Sequence, residues 1–183
     1  MKSRALRSGN GASEAGARRR RHRGAKDVYR APDFSFASFD GGAISNAALR
    51  GKVVLLDFWA TWCPPCRESV PALLGLRKKY ADRPFEIVGI SSDNDQQVWQ
   101  AFIAAHHMDW PDHFDGAGSV AELFNVHAFP TYIVLDRDGF IRFRQSGFGE
   151  MTSGELAEAI DKALKRPPML QPVAAAAAVG VQN

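Results

Sequence analysis

The length, composition and charge of the chain limit what it can be. Its 183 residues are enough for one domain with a hydrophobic core and few for two, and a hydrophobic content of 45% fits a soluble globular protein. Residues 1–30 carry ten Lys and Arg against two acidic residues, whereas the rest carries 13 basic and 18 acidic residues. The net charge of +3 therefore arises at the N-terminal end, and the mildly acidic remainder gives no reason to expect nucleic-acid binding.

The sequence divides into three predicted segments. Residues 1–30 combine low hydrophobicity with high charge, which predicts a disordered basic tail. Residues 31–166 are predicted to form one domain, and residues 167–183 a flexible tail rich in Pro and Ala. No apolar run follows the basic N-terminal cluster as it would in a secretory signal, and no stretch is long enough to span a bilayer. We expect a monomer without a transmembrane segment.

Within residues 31–166 the hydrophobic pattern switches repeatedly between strand and helix periods. The order of these segments predicts an α/β fold, in which helices flank a mixed central sheet. The predicted elements, in chain order, are a hairpin of 34–36 and 43–45, strand 53–59, helix 64–80 with a kink at Pro71, strand 85–90, a helix with Val98, Phe102, Ile103 and Ala105 on its apolar face, a short helix 120–124, a hairpin of 131–135 and 140–144, and helix 153–164.

The chain contains two cysteines, Cys63 and Cys66, separated by Pro64 and Pro65. One closely spaced pair indicates redox chemistry, because a scaffold stapled by disulfides needs several cysteines spread along the sequence. The strand at 53–59 and the helix that follows put Cys63 at a helix N-terminus, where free N–H groups and the helix dipole favour a thiolate. We predict that Cys63 is the nucleophile and that Cys66, one turn further on, is the resolving thiol.

A structural zinc site is another use of a Cys-x-x-Cys pair. The sequence has no second cysteine pair to complete such a site. His106 and His107 are adjacent, so on a helix they point about 100° apart and do not face one ion. His113 and His127 belong to other segments. We therefore expect neither a metal ion nor another cofactor.

The residues around the cysteine pair resemble those of a known family. Residues 54–67 (VLLDFWATWCPPCR), Phe129-Pro130-Thr131 and the turn at 136–139 are similar to the thioredoxin superfamily, in particular to TlpA/ResA-like thiol–disulfide oxidoreductases. The resemblance covers residues 31–166 and implies a thioredoxin fold with a helix-containing insertion at 93–118. The implied activity is the reduction of protein disulfides, with protein disulfides or dithiols as partners and an upstream thiol reductant.

The resemblance also implies a surface on which a partner peptide binds. Pro130 would be a cis proline that faces the dithiol, and Phe129 would offer backbone groups to the peptide. Trp62, Pro64 and Pro65 are expected to complete this surface.

Asp57, six residues before Cys63, is expected to point inward from a buried strand. In thioredoxins an aspartate at this place accepts the proton of the second cysteine, and a carboxyl buried without a cation has a raised pKa. Many TlpA/ResA-like proteins instead have a neutral residue there and an acid three residues after the second cysteine, where this chain has Ser69. We predict that Asp57 is the proton acceptor and that Glu68 is a surface residue. A structural carboxyl hydrogen-bonded to backbone is the alternative for Asp57.

Two other functions are alternatives to disulfide reduction. A thiol-dependent peroxidase needs a hydroxyl residue three positions before its cysteine, whereas Ala60 and Cys63 occupy those positions here. A non-catalytic binding module with the thioredoxin fold would make the cysteine pair incidental, which the intact motif disfavours. The direction of the redox reaction stays open, although Asp57 and the two prolines favour reduction. The resemblance favours an extracytoplasmic location such as the periplasm or cell envelope.

Overall fold

The computed structural model describes residues 29–149 and 152–169. Most of the two predicted tails lies outside these residues, so the tails and their boundaries remain predictions. The elements are β1 (Ser35–Ala37), β2 (Ala43–Ser45), β3 (Val53–Trp59), α1 (Pro64–Lys79), β4 (Phe85–Ser91), α2 (Gln96–Ala105), β5 (Asp112–Phe114), α3 (Ser119–Leu123), β6 (Thr131–Leu135), β7 (Ile141–Ser146) and α4 (Thr152–Lys165).

Five strands form one mixed sheet in the order β5-β4-β3-β6-β7, and β1 and β2 form a separate antiparallel hairpin. The central strand β3 runs parallel to β4 and antiparallel to β6. All seven residues of β3 are buried, because this strand is covered on both faces. The predicted fold class, a mixed sheet flanked by helices after an N-terminal hairpin, is confirmed.

Alternate residues of β3 project to opposite faces of the sheet. Its odd-numbered residues face a buried cluster that includes side chains of α1, α2 and α4, and we call this side the helical face. Its even-numbered residues face a second cluster, formed with the β1–β2 region and α3, and we call that side the hairpin face. Asp57 is odd-numbered and therefore projects to the helical face.

The strand β5 is absent from the sequence prediction. It pairs with β4 in parallel, so that Gly89 lies beside Asp112. Its three residues are Asp, His and Phe, which show no apolar alternation from which a strand could be recognised. The sheet acquires this edge strand through pairing with β4, a contact distant in sequence.

The predicted apolar face of α2 is partly wrong. Trp99 and Ile103 are its buried residues, whereas Val98 is 52% exposed and Ala105 is also exposed. The indole Nε1–H of Trp99 donates a hydrogen bond to the buried carboxylate of Asp112. This hydrogen bond turns the Trp99 side of α2 towards the sheet. None of the helices in the described part of the chain is long and apolar enough to cross a lipid bilayer.

Candidate active site

Cys63 and Cys66 form a disulfide at the start of α1, with 5.3 Å between their Cα atoms. Cys63 is the N-cap residue of the helix, and its backbone is extended, with φ −93° and ψ 108°. Both cysteines are buried, Cys63 at 4% and Cys66 at 1% exposure. The two sulfur atoms predicted to share the chemistry are therefore bonded to each other at the N-terminal end of a 16-residue helix.

The proline pair begins this helix without loss of a hydrogen bond. Pro64 and Pro65 occupy its first turn, where backbone N–H groups have no partner inside the helix. The first free amide after them is that of Cys66, which donates to the Sγ of Cys63 at 3.3 Å. The first turn of α1 contains no acidic side chain. The hydrogen bond and the helix dipole both stabilise negative charge on Cys63 when the disulfide is opened.

The segment before Cys63 is held to β4 by a buried carboxylate. The backbone N–H of Thr61 donates to both oxygens of Asp93, at 3.1 and 3.0 Å, and the Thr61 hydroxyl donates to Asp93 Oδ1 at 2.6 Å. The hydroxyl of Ser91 donates to the other oxygen of Asp93 at 2.6 Å. Asp93 is 2% exposed, so these hydrogen bonds lie in the interior, where they are strong and costly to break.

Asp57 lies on β3 beneath the helical layer that contains the cysteines. It is 2% exposed, and its Oδ1 has no hydrogen-bond partner among the described residues. Burial raises the pKa of this carboxyl to about 7. An aspartate that titrates near neutrality gains and loses a proton readily at physiological pH.

A row of residues crosses the sheet on the helical face at the level of Asp57. Strand pairing places Asp57 beside Tyr132 of β6 on one side and beside Gly89 of β4 on the other. Gly89 in turn pairs with Asp112 of β5. A Cβ atom on Gly89 would lie 1.8 Å from Asp112 Oδ2, so the carboxylate occupies the space that this glycine leaves. The two carboxyls of the row are thereby brought together across a residue without a side chain.

Asp112 is held by two indole groups. Trp59 Nε1–H donates to its Oδ2 at 3.1 Å and Trp99 Nε1–H to its Oδ1 at 3.0 Å. Burial raises the pKa of Asp112 well above its ordinary value, and the charge of Asp57 adds to the rise, while the indole donors oppose it. Asp112 thus connects β3, just before the cysteine loop, to helix α2 of the insertion.

A partly exposed aromatic surface lies next to the disulfide. Trp62, immediately before Cys63, is 57% exposed, and its ring meets that of Phe129 edge to face with 5.8 Å between the ring centroids. The Phe129–Pro130 peptide bond is cis, as the family resemblance implies. Pro130 is buried and Phe129 is half-buried, while Pro64 is exposed and Pro65 is half-buried at the start of α1.

Glu68 and Ser69, the residues at and next to the place where many TlpA/ResA-like proteins have an acid, differ in burial. Glu68 is exposed, in agreement with its predicted place on the surface. Ser69 is 1% exposed, and its hydroxyl donates to the backbone carbonyl of Cys66 at 2.7 Å. The position that carries an acid in many TlpA/ResA-like proteins therefore holds a small neutral group that is already hydrogen-bonded.

Three buried polar residues near the site, Asp93, Asp112 and Tyr132, escaped the sequence prediction. Asp93 lies three residues beyond the predicted strand 85–90, and this short separation along the sequence is the one signal that points to it. Asp112 lies in the unrecognised strand β5. Tyr132 lies in a predicted strand of apolar residues, where an aromatic residue indicates core packing.

Comparisons with known proteins agree with this geometry. Residues 26–161 match the Redoxin family. Thioredoxin-like protein YneN of Bacillus subtilis is 36% identical over 141 residues, which cover 75% of this chain and 81% of that protein. Thiol-disulfide oxidoreductase ResA of Bacillus cereus is 30% identical over 132 residues, covering 72% of this chain and 75% of that protein.

Two solved structures with the same fold support membership of this family. The structure titled as a putative thiol:disulfide interchange protein DsbE from Chlorobium tepidum superposes with a TM-score of 0.71 and 31% identity, over 75% of this chain and 96% of that one. StoA from Bacillus subtilis gives a TM-score of 0.61 with 25% identity, over 70% of this chain and 96% of that one. The chain belongs to the Redoxin family and is a TlpA/ResA-like thiol–disulfide oxidoreductase of the thioredoxin superfamily.

Proposed function

We propose that this oxidoreductase reduces disulfides of partner proteins, with Cys63 as the attacking and Cys66 as the resolving thiol. The observation that carries the proposal is the position of the pair: Cys63 is the N-cap of α1 and Cys66 lies one turn inside it. The disulfide state is the product of one turnover. An upstream thiol reductant must transfer two electrons to it before the next turnover.

The attack forms one bond and breaks one. The Cys63 thiolate displaces one sulfur of the partner's disulfide, which gives a mixed disulfide and leaves the other partner sulfur as a thiolate that takes up a proton. The hydrogen bond from the Cys66 amide and the dipole of α1 stabilise negative charge on the Cys63 sulfur and thereby favour the attacking thiolate.

The release step needs a base for the second cysteine. Cys66 transfers its proton to the carboxylate of Asp57 and attacks the Cys63 sulfur, which re-forms the Cys63–Cys66 bond and expels the partner as a thiolate. A pKa of about 7 allows Asp57 to accept this proton near neutrality and to return it to solvent afterwards.

The electrostatics of the site favour the reductive direction. An oxidant is strong when its reduced form is stabilised, chiefly as a thiolate. Here Asp57 and Asp112 are buried on the same face as the dithiol, and negative charge on either disfavours a nearby thiolate. We therefore expect a reduction potential nearer to that of thioredoxin-type reductants, about −270 mV, than to that of a strong oxidant, about −120 mV.

The aromatic surface beside the disulfide supports protein partners. Trp62 and Phe129 offer apolar contact area at the mouth of the site, and the backbone around the cis Pro130 offers hydrogen bonds to an extended peptide. We further propose that the protein works as a monomer at an extracytoplasmic site, as its resemblance to TlpA/ResA-like proteins suggests.

The primary test is insulin reduction coupled to dithiothreitol, together with the reduction potential measured against glutathione. Wild type is expected to reduce insulin, and Cys63→Ser to abolish the activity. Cys66→Ser is expected to accumulate a mixed disulfide with the partner, visible on a non-reducing gel. A wild-type chain without activity would overturn the proposal. A reduction potential of about −120 mV, the value of a strong oxidant, would show that the protein oxidises its partners instead.

The role of Asp57 is tested by a pair of acid-to-amide variants. Asp57→Asn is expected to slow release of the mixed disulfide about 10²-fold at pH 7, the lower range for general acid–base catalysis. Glu68→Gln changes an exposed acid of α1 in the same way and is expected to leave the rate unchanged. Equal rates for the two variants would assign Asp57 a structural role.

A further inference from the structure

Two buried residues that each have a polar atom without a partner lie on adjacent strands of the sheet. Asp57 Oδ1 and the Tyr132 hydroxyl each have no hydrogen-bond partner among the described residues. Their residues pair directly across β3 and β6, so both side chains project to the helical face from neighbouring strands. Asp57 is 2% and Tyr132 0% exposed. Buried polar groups without partners are rare in folded proteins and ask for an explanation in terms of function or hydration.

We propose that the Tyr132 hydroxyl donates a hydrogen bond to the Asp57 carboxylate through one water molecule, and so sets the pH at which Asp57 accepts the proton of Cys66. The proposal rests on the proposed release step, in which Asp57 is the base. It makes Tyr132 a positioning residue, because it acts on the dithiol through Asp57.

The other groups that face Asp57 are already engaged. Asp112 faces it across Gly89 and accepts hydrogen bonds from two indole groups, and Asp93, two residues after the end of β4, accepts four from Thr61 and Ser91. The Cys63–Cys66 disulfide lies above, in α1. Both oxygens of Asp112 and both oxygens of Asp93 thus already accept hydrogen bonds from other groups.

The hydroxyl of Ser69 is also committed. It lies in α1 above the same row and donates to the Cys66 carbonyl at 2.7 Å. The Tyr132 hydroxyl itself makes no hydrogen bond among the described residues, so its proton is free to be donated towards Asp57.

A tyrosine suits this position for a chemical reason. Burial raises the pKa of Tyr132, and the neighbouring charge of Asp57 raises it further while Ser69 opposes the rise. The phenol therefore keeps its own proton at every pH where Asp57 titrates. It is a fixed donor, which stabilises the carboxylate form of Asp57 relative to the acid form.

The proton balance of the step is simple. Cys66–SH gives its proton to Asp57, which passes from carboxylate to carboxylic acid, and the sulfur attacks Cys63 and expels the partner thiolate. The Tyr132 hydroxyl donates to the carboxylate before the transfer and retains its proton throughout. Asp57 later releases the proton to solvent, which regenerates the starting state.

The test compares two tyrosine-to-phenylalanine variants. Tyr132→Phe removes the hydroxyl that faces Asp57. Tyr80→Phe is the matched control. Tyr80 is also buried, but it lies at the C-terminal end of α1, and its hydroxyl donates to the Ala157 carbonyl of α4. The Asp57 pKa is measured in the oxidised protein from the ¹³C chemical shift of its carboxyl carbon, and the rate of mixed-disulfide release is measured from pH 5 to 9.

Tyr132→Phe is expected to raise the pKa of Asp57 by about one unit, because a donor to the charged form is lost. A rise of one unit from about 7 leaves about one fifth of the carboxylate at pH 7, so release slows about fivefold there and recovers at higher pH. Tyr80→Phe is expected to change neither quantity. In an Asp57→Asn background, Tyr132→Phe is expected to add no further effect.

The outcomes separate this inference from the proposed function. If Asp57→Asn alone leaves the pH profile unchanged, the base is not Asp57 and the proposed release step is wrong. If Asp57→Asn alters the profile but Tyr132→Phe behaves like Tyr80→Phe, the release step stands and the role of Tyr132 is refuted. An equal effect of Tyr132→Phe with and without Asp57 also refutes it.

Discussion

Each face of the central sheet buries an apolar cluster, but the two faces differ in the polar groups that β3 contributes to them. On the hairpin face, the even-numbered residues of β3 are Val54, Leu56 and Phe58, all within an apolar cluster. On the helical face, the same strand contributes Asp57 between Leu55 and Trp59. The strand β3 therefore contributes only apolar side chains to the hairpin face, whereas it contributes a carboxyl to the helical face.

The difference shows where a buried polar group is tolerated. A carboxyl without hydrogen-bond partners destabilises a folded protein, and evolution retains it chiefly where its proton affinity is used. The helical face carries Asp57, Asp112 and Tyr132 directly under the helix that begins with the dithiol. The hairpin face supports the fold, and the helical face supports both the fold and the chemistry.

The largest effect is expected when the hairpin face receives a carboxyl. Leu56 is fully buried, and Leu56→Asp removes its apolar contacts and leaves an acid without a partner. The expected loss is more than about 5 kcal/mol of unfolding free energy, from the lost side chain and the buried polar group together. Urea unfolding followed by circular dichroism measures it.

Leu56→Met is the matched control, because it conserves volume and is expected to cost less than about 1.5 kcal/mol. A Leu56→Asp protein as stable as this control would show that both faces accept a carboxyl equally, and the contrast between them would be lost.

A smaller effect, with a defined pH dependence, is expected from Asp57→Asn. The unfolded aspartate loses its proton near its ordinary pKa of 3.8, whereas in the folded protein the pKa is about 7. Between these values the folded state binds the extra proton, so wild type loses stability as pH rises, and above pH 7 the loss is complete. The difference of about three units corresponds to about 4 kcal/mol.

Asp57→Asn removes this titration. It is expected to match wild type at low pH and to exceed its stability by up to about 4 kcal/mol in the weakly alkaline range. Urea unfolding of the oxidised proteins at several pH values measures the gap, which includes the change at Asp112 when the charge of Asp57 is removed. A gap that stays constant with pH would mean that Asp57 is ionised throughout.

The smallest effect on stability is expected from a change at Gly89, which lies beside the carboxylate of Asp112 on the helical face. Gly89→Ala places a Cβ 1.8 Å from Asp112 Oδ2 and 2.5 Å from its Cγ, and is expected to destabilise the protein by about 1–3 kcal/mol. Gly75→Ala, in α1, meets nothing within 4 Å and is expected to stabilise it by about 0.5–1 kcal/mol. Thermal unfolding of both variants measures the contrast, and two changes of the same sign would contradict the close approach of Asp112 to Gly89.

The sequence predicts most of the fold because most of its elements carry a strong local signal. The apolar run of β3 and the helical spacing after Pro64 identify the two elements that position the cysteines. The strand β5 and the buried side of α2 escape prediction for one shared reason. Both depend on Asp112, whose contacts with Gly89 and the two indole groups join segments that are far apart in sequence.

The candidate site divides in the same way. Cys63, Cys66 and Asp57 belong to one continuous segment, so their spacing alone suggests their relation. Tyr132 lies 75 positions beyond Asp57, and only the antiparallel register of β3 and β6 brings the two together. A single sequence indicates which side chains are chemically competent, whereas strand register decides which of them meet.

The hydrogen bonds between Thr61 and Asp93 have a consequence for the encounter with partners. Because the segment before Cys63 is already fixed to β4 in the free protein, little conformational entropy is lost on this side when a partner arrives. The loss of conformational entropy on binding then falls mainly on the partner, whose disulfide must approach the Cys63 sulfur in its fixed position. A flexible, exposed disulfide satisfies this geometry readily, whereas a disulfide buried in a rigid core does so only after local unfolding. With the proposed function, the hydrogen bonds between Thr61 and Asp93 would therefore favour partners whose disulfides are mobile.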